Sequence, residues 1–369
     1  NAGADAYNVA VGYNSGNAIT TGIENTIVGG LAGDALTTGE GNVALGYFAL
    51  SNEDAGGRSV AIGTSALHSQ NTTSTTVPYN VAVGYAAGAA VTTGVRNTLI
   101  GGLAGDAITE GLYNVAIGYQ ALSANVDSDS NVAVGYNTLS LMTGTAGNTY
   151  NTAVGHQAGE QVTTAIQSTF IGAFAGDAVT TGLANTAIGY NALSGEDEHG
   201  YNTAVGHGAL KVQNAGANAY NVAVGASAGL SVTTGVSNVL VGGLAGDALT
   251  TGDNNIAIGK SALSGEDTGN RNVAIGQSAL SALNFDGNGN NVAIGYLCGS
   301  TMTTGTENTL IGTNAGDALT SGNNNTALGY QALTTETLGD RSVAVGNFAL
   351  QLQNNTSNAD VYNTAVGFS

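Results

Sequence analysis

The chain has 369 residues, 58 of them glycine, with one proline, one cysteine, no tryptophan and a formal net charge of −19. That acidic balance argues against nucleic acid and anionic membrane surfaces as partners, and no apolar run reaches the length of a membrane-spanning helix, so no membrane insertion is expected of this segment. With only 8% charged residues and aliphatics on a strict schedule, the composition is that of neither a typical enzyme nor a disordered tail.

A five-residue signature opens at Asn8 and governs the chain from there: Asn or Ser, a β-branched residue, an apolar residue, Val/Ile/Leu, then Gly. It returns at Asn25, Asn42 and Ser59 after steps of 17, 17 and 17, and then after a step of 21 at Asn80. The same grouping continues to Asn363, always three steps of 17 followed by one of 19 to 21. Such regularity identifies a solenoid with two periods, a coil of about 17 residues and a four-coil module of about 70. The modules run over approximately 8–79, 80–150, 151–220, 221–290 and 291–362, with partial modules at both ends, in one elongated domain without a linker. Residues 1–12 nearly duplicate 214–225, a junction between modules, and the chain stops just after a fresh signature, which is the expectation for a segment of a longer array.

Within the coil, position one is Asn at Asn8, Asn25 and Asn42, and position five is Gly at Gly12, Gly29, Gly46 and Gly63. A glycine there permits a tight bend or a close backbone approach, and the branched aliphatics before it suit a short strand. Two turn signals in 17 residues predict two short strands and two bends per coil. Parallel stacking at about 4.8 Å per coil gives an all-β parallel β-solenoid, or β-roll, roughly 100 Å long. Its expected core is a thin column of Val, Ile, Leu and Ala, with Asn and Thr ladders along the axis.

The four coils differ, and the differences repeat. The second coil has a large residue at position three (Ile27, Leu99, Phe170, Leu240, Leu310) and a small one at position six, where flanking coils often carry Tyr, as at Tyr47 and Tyr119. This reads as volume compensation at a packed surface, with a tyrosine-lined carbohydrate groove as the sharper alternative. The second coil also carries Asp34, Asp106, Asp177, Asp247 and Asp317, about 19 Å apart by the stacking argument and so each acting alone. The expected role is a turn-forming Asp bonded to nearby backbone.

Third-coil tails are acidic, and Arg58, Arg271 and Arg341 end three of them, which predicts charge pairing on a solvated loop. Asp54, Asp129, Asp197, Asp267 and Asp286 are the calcium candidates, although the EF-hand spacing is missing. Fourth-coil tails, such as 70–79, 142–150 and 351–362, vary in length and are the first candidates for partner contact. Catalytic constellations are not found: His68, His156, His199 and His207 do not recur by module or show metal-ligand spacing with Cys298. The expectation is therefore a non-enzyme with no catalytic residues and no cofactor beyond the calcium candidates. The single cysteine excludes an internal disulfide framework and, with the Thr, Asn, Gly and Ala enrichment, fits a secreted bacterial or viral surface fibre.

Ser59-Val60-Ala61-Ile62-Gly63 and Asn272-Val273-Ala274-Ile275-Gly276 resemble the head repeats of YadA-like trimeric autotransporter adhesins. Asn185-Thr186-Ala187-Ile188-Gly189-Tyr190-Asn191-Ala192-Leu193 is similar to repeats of phage tail-fibre-like proteins. The resemblance covers essentially the whole chain and implies a left-handed parallel β-roll, assembled as a homotrimer, in an adhesin or fibre at a cell surface or on a virion tail. It departs from the family in its 17-residue coil and four-coil module. The function expected is an extracellular fibre segment that presents repeated loops to a surface glycan or protein receptor. Two alternatives stand beside it: a structural filament joined end to end, and an ice-binding solenoid using pairs such as Thr37-Thr38 and Thr92-Thr93 in a flat array on stacked strands.

Overall fold

Positions two to four of every signature form a three-residue strand, and position five ends it. At Gly12, Gly29, Gly46 and Gly63 the φ angle lies between +131° and +139°, where side chains are not accommodated. A Cβ on Gly46 would stand 2.5 Å from the carbonyl oxygen of Gly63 in the next coil. Glycine at position five is therefore what lets adjacent coils touch through backbone at the strand end.

A computed structural model describes residues 5–72, 77–144, 146–355 and 357–369, in two units, Asn1–Ala184 and Asn185–Ser369. The first holds ten three-residue strands from Val9–Val11 to Thr169–Ile171, together with a two-residue pair, Ser128–Asp129 with Gly147–Asn148. The second holds eleven, from Thr186–Ile188 to Thr364–Val366. Each strand pairs in parallel and in register with the strand one coil away, as in Val43↔Val60 and Ile256↔Val273. The fold is an all-β parallel β-solenoid with coils about 17 residues apart.

Two expectations need correction. The described coils carry one such strand rather than two, because left-handed residues break up the remainder: in the second coil Leu31 and Gly33 have φ of +55° and +49°, and in the third Phe48 and Leu50 have +58° and +53°. The turns still bond from coil to coil, Leu31 N–H to Tyr13 carbonyl and Gly33 N–H to Ala49 carbonyl. The second correction concerns the core. Strand side chains alternate, so position three is buried (Ala44, Ala61, Ile27, Leu99) while the Val, Ile or Thr of position two and the aliphatic residue of position four face outward. The core consists of position three, the alanines of position eight, leucines of position nine and the apolar residues of position twelve, such as Leu36 and Ile108.

Asparagines of position one form the expected ladder. Asn25 N–H donates to Asn8 Oδ1 at 2.9 Å, Asn42 to Asn25 at 2.9 Å and Ser59 to Asn42 at 3.0 Å, while Asn25 Nδ2 donates to Gly39 carbonyl at 2.9 Å. In the second unit Asn202 bonds to Asn185 and Asn238 to Asn221 in the same way. Buried amides need such partners. Where Ser59 replaces Asn, Gln70 bridges the gap, donating to Ser59 Oγ at 3.1 Å and accepting from Asn80 Nδ2 at 2.9 Å.

Candidate interaction surfaces

Because position three points inward, each unit presents an outer face made of positions two and four. Leu45 is 45% exposed, Ile100 37% and Leu328 44%. Not one of the 21 three-residue strands contains a charged residue, although the chain has 25 Asp and Glu. Parallel sheets are ordinarily covered on both sides; on this face position four is aliphatic in every strand, whereas position two is Thr in nine of them, as at Thr26 and Thr98.

Aromatic residues of position six border that face and stay about half exposed, with Tyr47 and Tyr119 lying against the small position-six residue of the coil before: a Cβ on Gly30 would stand 3.4 Å from Tyr47 Cδ2 and one on Gly102 3.5 Å from Tyr119 Cδ2. In the first unit Tyr119, Tyr136 and His156 stack at centroid distances of 5.8 and 5.1 Å, and in the second Tyr190 stacks on His207 at 5.4 Å. Stacking turns ring faces towards one another and leaves mainly their edges outside. The large position-three residue is matched by glycines at position nine: a Cβ on Gly105 would lie 2.8 Å from Leu99 Cδ2, and one on Gly246 2.8 Å from Leu240 Cδ2.

Third-coil tails depart most from expectation. Glu53, Glu196, Glu266 and Glu336 are fully buried at position twelve of the core, not on a solvated loop. Each accepts from a backbone N–H three residues on, Gly56 at 2.7 Å, His199 at 3.1 Å, Gly269 at 2.7 Å and Gly339 at 2.8 Å. Gln70, Gln213 and Gln353 of the following coil donate to three of them, at 2.8, 3.2 and 2.9 Å. Burial pushes the carboxyls of Glu196 and Glu266 above the ordinary range. Burial acts on Glu336 in the same sense, but donors from Gln353, Gly339 and Asn355 outweigh it and hold that carboxyl below the usual range. The arginines do not pair with these acids: Arg58 meets Glu40 at 3.4 Å and Arg341 meets Asp360 at 2.7 Å, all four about half exposed. A regular Glu at an apolar column was the available signal, visible once position twelve is aligned across coils.

Of the calcium candidates, Asp54 accepts the Thr37 hydroxyl, Asp129 the Leu112 N–H at 2.7 Å, Asp197 the Glu198 N–H at 2.6 Å and Asp286 the Thr268 hydroxyl. Asp267 keeps a buried Oδ1 without a hydrogen-bond partner. Among the described residues only Asp197 lies in a close group of metal-ligating side chains, with Glu196 and His199, their ligand atoms within 4.8 Å of one another. Two carboxylates and an imidazole fall short of the six to eight oxygens that calcium takes.

The second-coil aspartates fill the turn role only in part. Their carbonyls accept from the preceding coil, Ala18 N–H to Asp34 and Ala90 N–H to Asp106, but Oδ1 of Asp34, Asp106, Asp177 and Asp247 is buried without a partner. Asp317 differs in accepting the Thr334 hydroxyl. Burial pushes the carboxyls of Asp106, Asp177 and Asp247 upward, offset in part by their own backbone N–H groups. Threonine pairs lie in bends rather than on strands, and the first hydroxyl donates to the neighbouring coil, Thr92 to Thr109 carbonyl and Thr233 to Thr250 carbonyl, each at 3.2 Å. Fourth-coil tails fall partly outside the described residues, at 73–76, 145 and 356, as do residues 1–4 of the near-duplicate start.

Comparison of the chain with known protein families, curated proteins and solved structures found no match.

Proposed function

We propose that the chain is a non-enzymatic segment of an extracellular fibre, in which copies join through the outer strand face and the fourth-coil tails meet surface partners. The observation that carries this reading is the uncharged outer strand face, aliphatic at position four of every strand. A protein carrying a net −19 that keeps every charge off its 21 three-residue strands has a strip suited to burial, and depletion of charge at the centre is what distinguishes interface cores from ordinary surface. A homotrimer with three such faces turned inward covers all of them and leaves the tails outside. Repeated tails on one assembly then raise avidity without a strong individual contact. The resemblance to adhesin and tail-fibre repeats supports the same placement at a cell surface or virion.

Sedimentation velocity on the chain tests this directly. A trimeric mass that falls to that of a monomer when Leu45, Ile100 and Val154 are replaced by Lys supports the reading. A parent that stays monomeric at tens of micromolar, or a filament that grows end to end and is indifferent to those lysines, defeats it.

A further inference from the structure

Third-coil tails carry a spacing that repeats with the module: a buried glutamate is followed five residues later by an arginine, at Glu53/Arg58, Glu266/Arg271 and Glu336/Arg341. In the first and fifth modules both side chains reach the tail of the fourth coil. Glu53 accepts from Thr72 N–H at 3.2 Å and Thr72 Oγ1 at 3.1 Å, at the beginning of that tail's variable part. At its end Arg58 donates to the Tyr79 hydroxyl at 2.9 Å, its guanidinium 5.9 Å from the ring centre. Glu336 accepts from Asn355 N–H at 3.0 Å and Asn355 Nδ2 at 2.6 Å, and Arg341 donates to the Tyr362 hydroxyl and to Asp360, both at 2.7 Å. The offsets agree residue for residue: Thr72 and Asn355 stand nineteen after the glutamate, Tyr79 and Tyr362 twenty-six. The fourth module keeps the first contact, Phe285 N–H to Glu266 at 3.3 Å, also nineteen residues on, but its tail is two residues shorter and closes on Asn290.

We propose that the Glu-x4-Arg spacing is a two-point clamp that turns the fourth-coil tail into a display loop, its two ends fixed and its interior free to vary in sequence. The glutamate is the stronger point. Its carboxylate lies in the core, where a donor that loses its acceptor has no water to replace it, so the backbone at both Gly339 and Asn355 is tied to one group. The arginine is half exposed and supplies a weaker, orienting contact. Fixing the ends confines the entropy of loop closure to the intervening residues, and that term grows slowly with length. Insertions are thus tolerated after position nineteen and before the tyrosine, and the 17-residue stack continues undisturbed. The clamp is a property of one chain and stands whether or not copies associate.

Hydrogen exchange followed by mass spectrometry on the full chain tests it. Glu336→Gln keeps the shape but removes an acceptor, and the expected result is exchange about tenfold faster across 353–361, the equivalent of one charged hydrogen bond, with the amides of Val343–Val345 unchanged. Arg341→Ala is expected to give a smaller acceleration confined to 360–362. Unchanged exchange in the tail, or equal acceleration of tail and strand, would overturn the clamp, the second outcome making Glu336 a pillar of the stack. Should Glu336→Gln fail to fold, Asn355→Ala leaves the carboxylate in place and must still loosen the tail alone.

Discussion

Gly88 and Leu99 share one space: a Cβ on Gly88 would stand 2.6 Å from Leu99 Cδ1. The same pairing recurs between Gly229 and Leu240 at 2.7 Å and between Gly299 and Leu310 at 2.9 Å. It explains why the module has four coils. First and second coils have glycine at position nine, and one large residue from the second coil fills the room both leave; third and fourth coils have alanine at position three and supply Leu from position nine, as at Leu50 and Leu67. A lone coil of any type would be overfilled or hollow.

A double-mutant cycle follows from that shared volume. Gly88 has φ +58°, so Gly88→Ala suffers backbone strain of about 1 kcal/mol as well as the collision. Leu99→Ala leaves a cavity and is expected to cost about 2–5 kcal/mol. In the double variant the closest collision is gone, leaving only the tight contact with Leu67 Cδ2 at 3.0 Å and that with Val91 Cγ2 at 3.3 Å, so the combined loss falls short of the sum by about 1 kcal/mol. Urea denaturation of the four proteins measures this, and strict additivity would separate the two residues.

Asp106 gives a prediction in pH. Its folded-state carboxyl is raised, chiefly by burial, so the charged form subtracts from stability above the unfolded value near 3.9, and that penalty is lost as pH falls through the folded value. Asp106→Asn is therefore more stable than the parent at pH 7, by less than about 1 kcal/mol given partial solvent screening, with the advantage shrinking as pH falls through the raised folded value and essentially gone below the unfolded value near 3.9. Thermal melts at pH 7 and pH 3.5 decide it; an advantage that grows in acid would show that the carboxylate has a partner.

The coil length, parallel stacking, asparagine ladder and glycine stop were legible in the sequence because each follows from backbone geometry repeated at one spacing. The inward face was not. In a three-residue strand such as Val43-Ala44-Leu45, hydrophobicity alone favours the two branched residues as core, whereas the buried one is Ala44. What decides this is strand alternation, which turns position three inward whether it is Ala44 or, one coil earlier, Ile27. The buried glutamates were hidden for a related reason: acidic residues at Glu53-Asp54 look alike in sequence, and only coil register places Glu53 in the column of Leu36 while Asp54 meets Thr37 at the surface.

Cys298 is expected to be silent. It occupies the small-residue position filled by Ala315 in the next coil, is fully buried, and its thiol is pushed up to about 12, chiefly by burial. Cys298→Ala should change stability by less than about 1.5 kcal/mol, and the parent thiol should react with a disulfide reagent only after denaturant is added. Prompt reaction of the folded chain would show that the coil opens there.

Glu266 and Glu336 occupy equivalent places with opposite shifts, and Glu336 has the larger set of donors from the next coil, Gln353 together with the backbone and side chain of Asn355. Gln353 donates to Glu336 at 2.9 Å, whereas the equivalent residue beside Glu266 is the buried Leu283. Burial raises the Glu266 carboxyl, and the N–H groups of Gly269 and Phe285 compensate it only partly. Leu283→Gln supplies a donor that stabilises the charged form, so the carboxyl of Glu266 moves down. The sign of the linkage changes with it. In the parent, the raised carboxyl penalises folding above the unfolded value, a penalty relieved in acid; in the variant that relief is diminished. The parent therefore gains more stability, or loses less, than the variant as pH falls from about 6 to 4. Carbon-13 titration of the Glu266 carboxyl reads the shift without reference to any packing lost with the leucine, and a carboxyl that does not move would show that the glutamine column plays no electrostatic part in holding these acids.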